Sequence, residues 1–535
     1  MRSWLVVLLG SLVLAHAASA AEPGQDKCAA LAAFTMPDVV ITSVQSHAAG
    51  TFKTELGQAF ADVPAFCRVI GYATPTPKSK VGFEVWLPLQ GWNGRYTQVG
   101  NGGLAGVIFH QLLVQMVQRG YATASTDNGH QASPIDGRWA IGSPEKVRDF
   151  ADRAIHVMSG IGKAVTAKYY ETAAKRSYFF GCSEGGREAM IEAQRDPEAF
   201  DGIVAGAPAA DWTGLMAGFV ASAQALHQDA KTFIPVDKLP MIQAAALQAC
   251  DASDAVKDGL VSSPGSCRFD PKVLACTTSA GGDCLTPPQI EALTRLYAGL
   301  RDARSGEVIA PGYVPSGENE TGPIGGGLRQ YAFGAAPGQS LHAAFATGYF
   351  GGFVFEKADW DFRKFDFDKD LAFARKKLGA MMDATNPDLS AFQKRGGKLI
   401  HYHGLLDGSI PPAMSTQYYD KVVAKVGTRT ATQDFYRLFL APGVLHCGYG
   451  PGPNSFGNIG PRGPADADHD TLLALERWVE QGVAPAKIIA TKYVDDEARK
   501  GIQMTRPLCA YPQVARWMGK GQATDAMSFS CIDEK

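Results

Sequence analysis

Three residues, far apart in the chain, have the types and settings that nucleophilic chemistry needs. They are Ser183 in Gly181-Cys182-Ser183-Glu184-Gly185-Gly186, Asp407 in His403-Gly404-Leu405-Leu406-Asp407, and His446 in Leu445-His446-Cys447-Gly448. A serine hydroxyl is a weak nucleophile until a base takes its proton. Histidine can be that base when a carboxylate fixes its tautomer and stabilises the imidazolium. Competing residues read differently. His401 and His403 share a strand with Asp407 and read as packed or orienting, while His110, His130 and His469 read as structural. Asp366 and Asp368 alternate with Phe365 and Phe367 outside the segments that carry the other two groups, so neither is the expected acid.

The elements that must position these groups are legible around each one. Tyr178-Phe179-Phe180 is a short apolar run, and Arg187-Glu-Ala-Met-Ile-Glu-Ala starts a helical pattern. Strand, G-x-S-x-G and helix together form a nucleophile elbow, a turn sharp enough to hold the serine at strained φ/ψ with its hydroxyl in a cleft. Glu184 follows the serine, so its N–H lies at a helix N-terminus, where an oxyanion can be held. A second donor is expected from Gly100-Asn101-Gly102-Gly103, with Gly102 the first choice, because glycine lets the backbone approach a substrate closely. The same loop lacks G-x-x-x-x-G-K-[ST], which argues against a phosphate cradle.

Strand and helix patterns alternate from about residue 82 to 211 and again from 390, which predicts an α/β fold with a mostly parallel sheet and helices on both faces. Residues 82–100 carry an Asn-Gly turn between two alternating runs and read as a β-hairpin. Helices are expected over 109–119, 146–170, 187–195 and 468–481. Between 212 and 389 the alternation stops, so this segment reads as an inserted lid, with 21–211 and 390–535 forming the catalytic core.

At the N-terminus, an apolar run from Leu5 to Ala15 precedes Ala18-Ser19-Ala20, the pattern of a signal peptide over residues 1–20. That predicts an exported protein, secreted or periplasmic. A formal charge of −2 gives no reason to expect nucleic acid or an anionic membrane as partner. Ten cysteines suggest five disulfides. Spacing makes Cys250–Cys267, Cys276–Cys284 and Cys509–Cys531 the simplest pairs. If Ser183 and His446 meet, Cys182 and Cys447 must be close, and a bridge between them would lock nucleophile to base. Asp251, Asp254 and Asp258, in a short loop closed by Cys267, offer hard oxygen ligands that suit Ca²⁺, although the pattern is not an EF-hand. An acidic surface loop is the plainer reading.

The Gly181–Gly186 elbow, His403-Gly-Leu-Leu-Asp407, His446-Cys447-Gly and the Cys250–Cys267 aspartate loop together resemble the tannase/feruloyl esterase family, over nearly all of the mature chain. That resemblance implies an α/β-hydrolase core with an inserted lid. It implies a secreted serine carboxylesterase acting on small esters of hydroxycinnamic or hydroxybenzoic acids, with no organic cofactor. Its alternatives are hydrolysis of terephthalate monoesters, also found in the family, or a calcium-binding protein on an inactive hydrolase scaffold. It further implies a structural Ca²⁺ in the lid, held by Asp251, Asp254 and Asp258 and by the carbonyls of Val256 and Leu260. The bridges Cys28–Cys67, Cys182–Cys447, Cys250–Cys267, Cys276–Cys284 and Cys509–Cys531 are implied as well. Aromatic residues from about 330–362 are the candidate pocket walls.

Overall fold

The structure is a computed structural model and describes residues 23–277, 283–323 and 325–533. The expected signal peptide lies outside the described residues. The main sheet contains β1 (Val39–His47), β2 (Phe66–Ala73), β3 (Val81–Pro88), β4 (Arg95–Val99), β5 (Ala122–Thr126), β6 (Arg176–Cys182), β7 (Gly202–Gly206), β8 (Lys398–Gly404) and β9 (Tyr436–Ala441). Their spatial order is β1-β2-β3-β5-β4-β6-β7-β8-β9. The pairs β1–β2, β2–β3 and β3–β5 are antiparallel, and every pair from β5–β4 to β8–β9 is parallel. Parallel strands covered by helices on both faces are apolar along their length. Accordingly, Tyr178 to Cys182 and all of β7 are buried. The α/β fold is as expected.

The hairpin expected over 82–100 does not form, because β5 lies between β3 and β4. The Asn93 turn is tied elsewhere. Its N–H donates to Gly120 O at 2.9 Å and its side-chain amide to Arg119 O at 3.1 Å, both just past helix α1 (His110–Gln118). β4, α1 and β5 therefore form a βαβ unit, with the two strands parallel. The long helical stretch before β6 is also more varied than its sequence pattern. A short helix (Pro144–Arg148) passes through a π-helical turn (Asp149–Arg153) into α2 (Ala154–Tyr170).

Between β7 and β8, no described strand joins the main sheet; two short strands there pair only with each other. This segment contains α4 (Trp212–His227), α5 (Leu239–Cys250) and α6 (Pro287–Ala298), α3 (Glu184–Arg195) being the elbow helix. The insert does not have a wholly separate core. Trp212, Phe219, Phe345, Tyr349 and Phe353 pack in one apolar cluster with Leu104, Val147 and Phe150 from the sheet's own connections. Arg187 of α3, fully buried, donates to Phe150 O, Ala151 O and Met382 O as well as to Glu184, pinning the end of the insert to the elbow helix. α7 (Ala413–Val426) lies between β8 and β9, and α8 (Thr471–Gln481) follows β9, capped by the Asp470 carboxylate, which accepts the N–H groups of Leu472 and Leu473. All five expected disulfides are present: Cys28–Cys67, Cys182–Cys447, Cys250–Cys267, Cys276–Cys284 and Cys509–Cys531. Among the described residues no helix is long and apolar enough to cross a membrane.

Candidate active site

The elbow is formed as its sequence requires. β6 ends at Cys182, Ser183 has φ 67° and ψ −121°, and α3 begins at Glu184. A non-glycine residue at positive φ is strained and persists only where its surroundings enforce it. The close crossing of strand and helix is why glycine is needed here: a Cβ on Gly181 would lie 2.2 Å from Gly185 O. Glu184 is the first residue of α3, so its N–H has no partner within the helix.

The Gly100–Gly103 loop is clamped onto α3 by Asn101. Gly185 N–H donates to Asn101 O at 2.9 Å, Asn101 N–H donates to the Glu188 carboxylate at 2.9 Å, and the Asn101 amide donates to Val107 O and Thr126 O. The Gly102 N–H is directed at Asn101 Oδ1, 3.0 Å away. Gly103, at φ +62°, could not carry a side chain, since its Cβ would lie 2.6 Å from Pro134 O. Sequence reasoning missed Asn101 and Glu188. The signal was there: Glu184, Glu188 and Glu192 recur at a helical spacing of four on the face that α3 buries. Burial, reinforced by the neighbouring Glu188 carboxylate, pushes Glu184 well above the ordinary carboxylate range, and burial also raises Glu188.

Asp407 and His446 come together on the loops after β8 and β9. His446 Nδ1 lies 2.7 Å from Asp407 Oδ2. The other oxygen, Oδ1, accepts the N–H groups of Ser409 and Ile410, each at 2.8 Å. Burial alone would raise the Asp407 carboxyl, but His446 and His403 outweigh it and hold it well below the usual range. The Cys182–Cys447 bridge sets the residue before Ser183 and the residue after His446 5.9 Å apart, Cα to Cα. Like Ser183, Cys447 and Tyr449 adopt positive φ, 65° and 62°.

The rival residues have structural duties. His130 bonds to backbone carbonyls of Asn128 and Leu104, His110 faces Glu84, and His469 pairs with Asp466 near the surface. Asp366 accepts the N–H groups of Asp368 and Lys369. Of the aromatic residues at 330–362, Tyr331 approaches the His446 ring at 5.9 Å between centroids, and Phe345 lies parallel to Tyr331 at 6.2 Å. Phe345 also sits 3.2 Å from where a Gly103 Cβ would be. Tyr331 and Phe345 belong with Tyr349, Phe350 and Phe353 to the cluster shared by insert and core.

In the aspartate loop, Asp251 accepts the N–H groups of Asp258 and Gly259, and Asp258 pairs with Arg506 at 2.6 Å. Among the described residues, no three His, Cys, Asp or Glu side chains already form a metal shell. The donor set still suits a hard cation. Asp254 Oδ2 is buried with no hydrogen-bond partner, and burial, with Asp258 nearby, raises the Asp254 carboxyl. Val256 packs against Cys509, Ala515 and Phe529 of two C-terminal hairpins, Lys487–Tyr493 with Ile502–Cys509 and Gln513–Trp517 with Phe529–Asp533, which brings the loop onto the end of the chain.

A positive-φ serine at a strand-to-helix turn, beside a buried histidine–carboxylate pair on neighbouring loops of a mostly parallel sheet, defines an α/β-hydrolase. The chain belongs to the tannase and feruloyl esterase family, whose pattern it matches over residues 67–532, and it is a carboxylic ester hydrolase. It is 42% identical to an uncharacterized esterase of Xanthomonas campestris pv. campestris, over 98% of this chain and 93% of that one. It is 33% identical to a probable feruloyl esterase B-2 of Aspergillus flavus, over 83% of each chain. The crystal structure of feruloyl esterase B from Aspergillus oryzae superposes with a TM-score of 0.88 at 29% identity, covering 95% of this chain and all of the other.

Proposed function

We propose that this protein is an exported serine esterase that hydrolyses esters of aromatic carboxylic acids. The observation that carries the reading is the Asp407–His446 pair, closed at 2.7 Å and stapled by Cys182–Cys447 to a strained Ser183. In the reaction, Ser183 Oγ attacks the acyl carbon while His446 takes its proton. The N–H groups of Glu184 and Gly102 stabilise the oxyanion, Gly102 exchanging its contact with Asn101 Oδ1 for the developing charge. His446 then gives the proton to the leaving alcohol. Water, deprotonated by the same imidazole, releases the acid and restores the serine.

Tyr331 and Phe345 support an aromatic acyl group, because they place two roughly parallel rings between His446 and the Gly103 turn. The insert over 212–389 acts as the lid that carries them. Five disulfides and the leader-like first 20 residues support export. Asp251, Asp254 and Asp258, with the carbonyls of Val256 and Leu260, would hold a Ca²⁺ ion, whose contribution is charge neutralisation that braces the lid against the C-terminal hairpins. The test is turnover of feruloyl, galloyl and terephthalate monoesters by wild type and Ser183→Ala. Loss of turnover in the variant is expected, and the ester with the highest kcat/KM identifies the acid; undiminished turnover by Ser183→Ala eliminates the mechanism. Labelling by a fluorophosphonate separates an active serine from an inert binding scaffold.

A further inference from the structure

β8 carries two buried histidines that the reaction above does not use, and one backbone carbonyl fixes the tautomers of both. His403 Nε2 lies 2.9 Å from Ile410 O, an atom that can only accept, so Nε2 bears the proton. The same nitrogen is 3.2 Å from Asp407 Oδ2. In the neutral ring Nδ1 is then an acceptor, and it takes the Ser415 hydroxyl proton across 2.6 Å. With that proton committed, Ser415 Oγ accepts from His401 Nε2, 2.8 Å away. His401 Nδ1 accepts in turn from the Tyr436 hydroxyl at 2.7 Å. Burial holds His401 well below the ordinary imidazole range, so it stays neutral, as this order requires. Tyr436, His401, Ser415, His403 and Asp407 are all buried, where such a chain of bonds strengthens each member.

We propose that His403 is a positioning residue for Asp407, oriented by a one-way chain of donors that starts at Tyr436 and ends at the His403 N–H, which is bonded to Ile410 O and lies against the carboxylate paired with His446. The proposal rests on the esterase reading. Asp407 Oδ1 is fixed by two backbone N–H groups, and Oδ2 is shared by two imidazoles, His446 and His403. His403 thus limits rotation of the carboxylate and draws charge from the oxygen that His446 uses. Removing it leaves a looser carboxylate with more charge for His446, so the pair gains proton affinity while its geometry degrades. The other titratable groups facing Asp407 are Tyr313, Tyr331 and His342 from the insert and Tyr402 from β8. Burial raises the three tyrosines and lowers His342 to about 3. None of these four changes charge between roughly pH 5 and 9, so a shift there reports on the Asp407 pair.

The test is the pH profile of kcat/KM for His403→Leu, His403→Gln and Ser415→Ala, with wild type and Ser183→Ala in parallel. For His403→Leu, kcat should fall about tenfold, the size of one close contact between a polar N–H and a carboxylate, with KM little changed. Its acidic limb should move to higher pH by roughly half a unit. His403→Gln, whose amide N–H can stand in for Nε2–H, should recover most of kcat and the wild-type limb. Ser415→Ala, which removes only the lock on the tautomer, should shift the limb in the same direction and serves if His403→Leu does not fold. A folded His403→Leu or Ser415→Ala with wild-type kcat and limb overturns the proposal, as does a glutamine variant no better than leucine. If wild type itself lacks hydrolysis that Ser183→Ala removes, the esterase reading has failed instead.

Discussion

Removing the Cys182–Cys447 bridge by replacing both residues with alanine should damage catalysis and stability by different routes. The cysteines are 265 residues apart in sequence. The chain-entropy relation for a loop of that length gives roughly 5–6 kcal/mol at 25 °C, an upper bound because the other disulfides and residual structure already restrain the unfolded chain. Local strain adds to this. Ser183 and Cys447 both hold positive φ, at about 1–3 kcal/mol each, and the bridge ties Cys447 to Cys182, the residue before Ser183. Once it is gone, the His446 turn can relax, and a displacement of about 1 Å at a reacting group costs on the order of 10²-fold in rate. The variant should therefore lose several degrees of Tm and about 100-fold in kcat, with KM little changed. Thermal unfolding followed by circular dichroism and the rate of fluorophosphonate labelling read the two effects separately. Labelling at the wild-type rate in a variant of lowered Tm would show that packing alone aligns Ser183 with His446, and the positional role of the bridge would be refuted.

Two further outcomes follow from charge. Glu476 on α8 has only 11% of its side chain exposed, and burial pushes its carboxyl up to about 7 although Arg95 lies 3.6 Å away. A folded-state value above the unfolded one means that its stabilising contribution is complete below about pH 4.5 and is lost as pH rises through 7. Against wild type, Glu476→Gln should gain relative stability between pH 4.5 and 8, by at most about 3 kcal/mol, read from urea midpoints; a constant gap would contradict the assigned burial. Chelation with EDTA, or Asp254→Asn, should lower Tm, and added Ca²⁺ should restore the chelated wild type. Lost activity at unchanged Tm would move the ion from a bracing to a chemical role.

The elbow, the order of Ser183, Asp407 and His446, and the cysteine beside each of the outer two were legible because each is a local pattern. Gly181 and Gly185 are read from one turn, and Cys447 from its place beside a histidine. The order of β3, β5 and β4 was not legible, because local turn chemistry at Asn93 looks the same whether it closes a hairpin or anchors a crossover. The partner that decides, Gly120 O, lies 27 residues away. The same holds for Asn101, whose five contacts reach β5, α3 and its own loop. The histidines of β8 read from sequence as packed or orienting, but the direction of their hydrogen bonds depends on Ser415 and Tyr436, which belong to other elements.

Because Trp212, Phe345 and Phe353 share one apolar cluster with Leu104 and Phe150, and because Arg187 fastens Met382 to the elbow helix, the insert cannot swing away as a rigid flap without exposing part of the interior. Access to Ser183 is therefore a matter of rotamer changes and small loop shifts rather than of a swinging insert. An enzyme built this way keeps nearly the same entrance with and without substrate, so selection should rest on side-chain shape rather than on the closing of a flap.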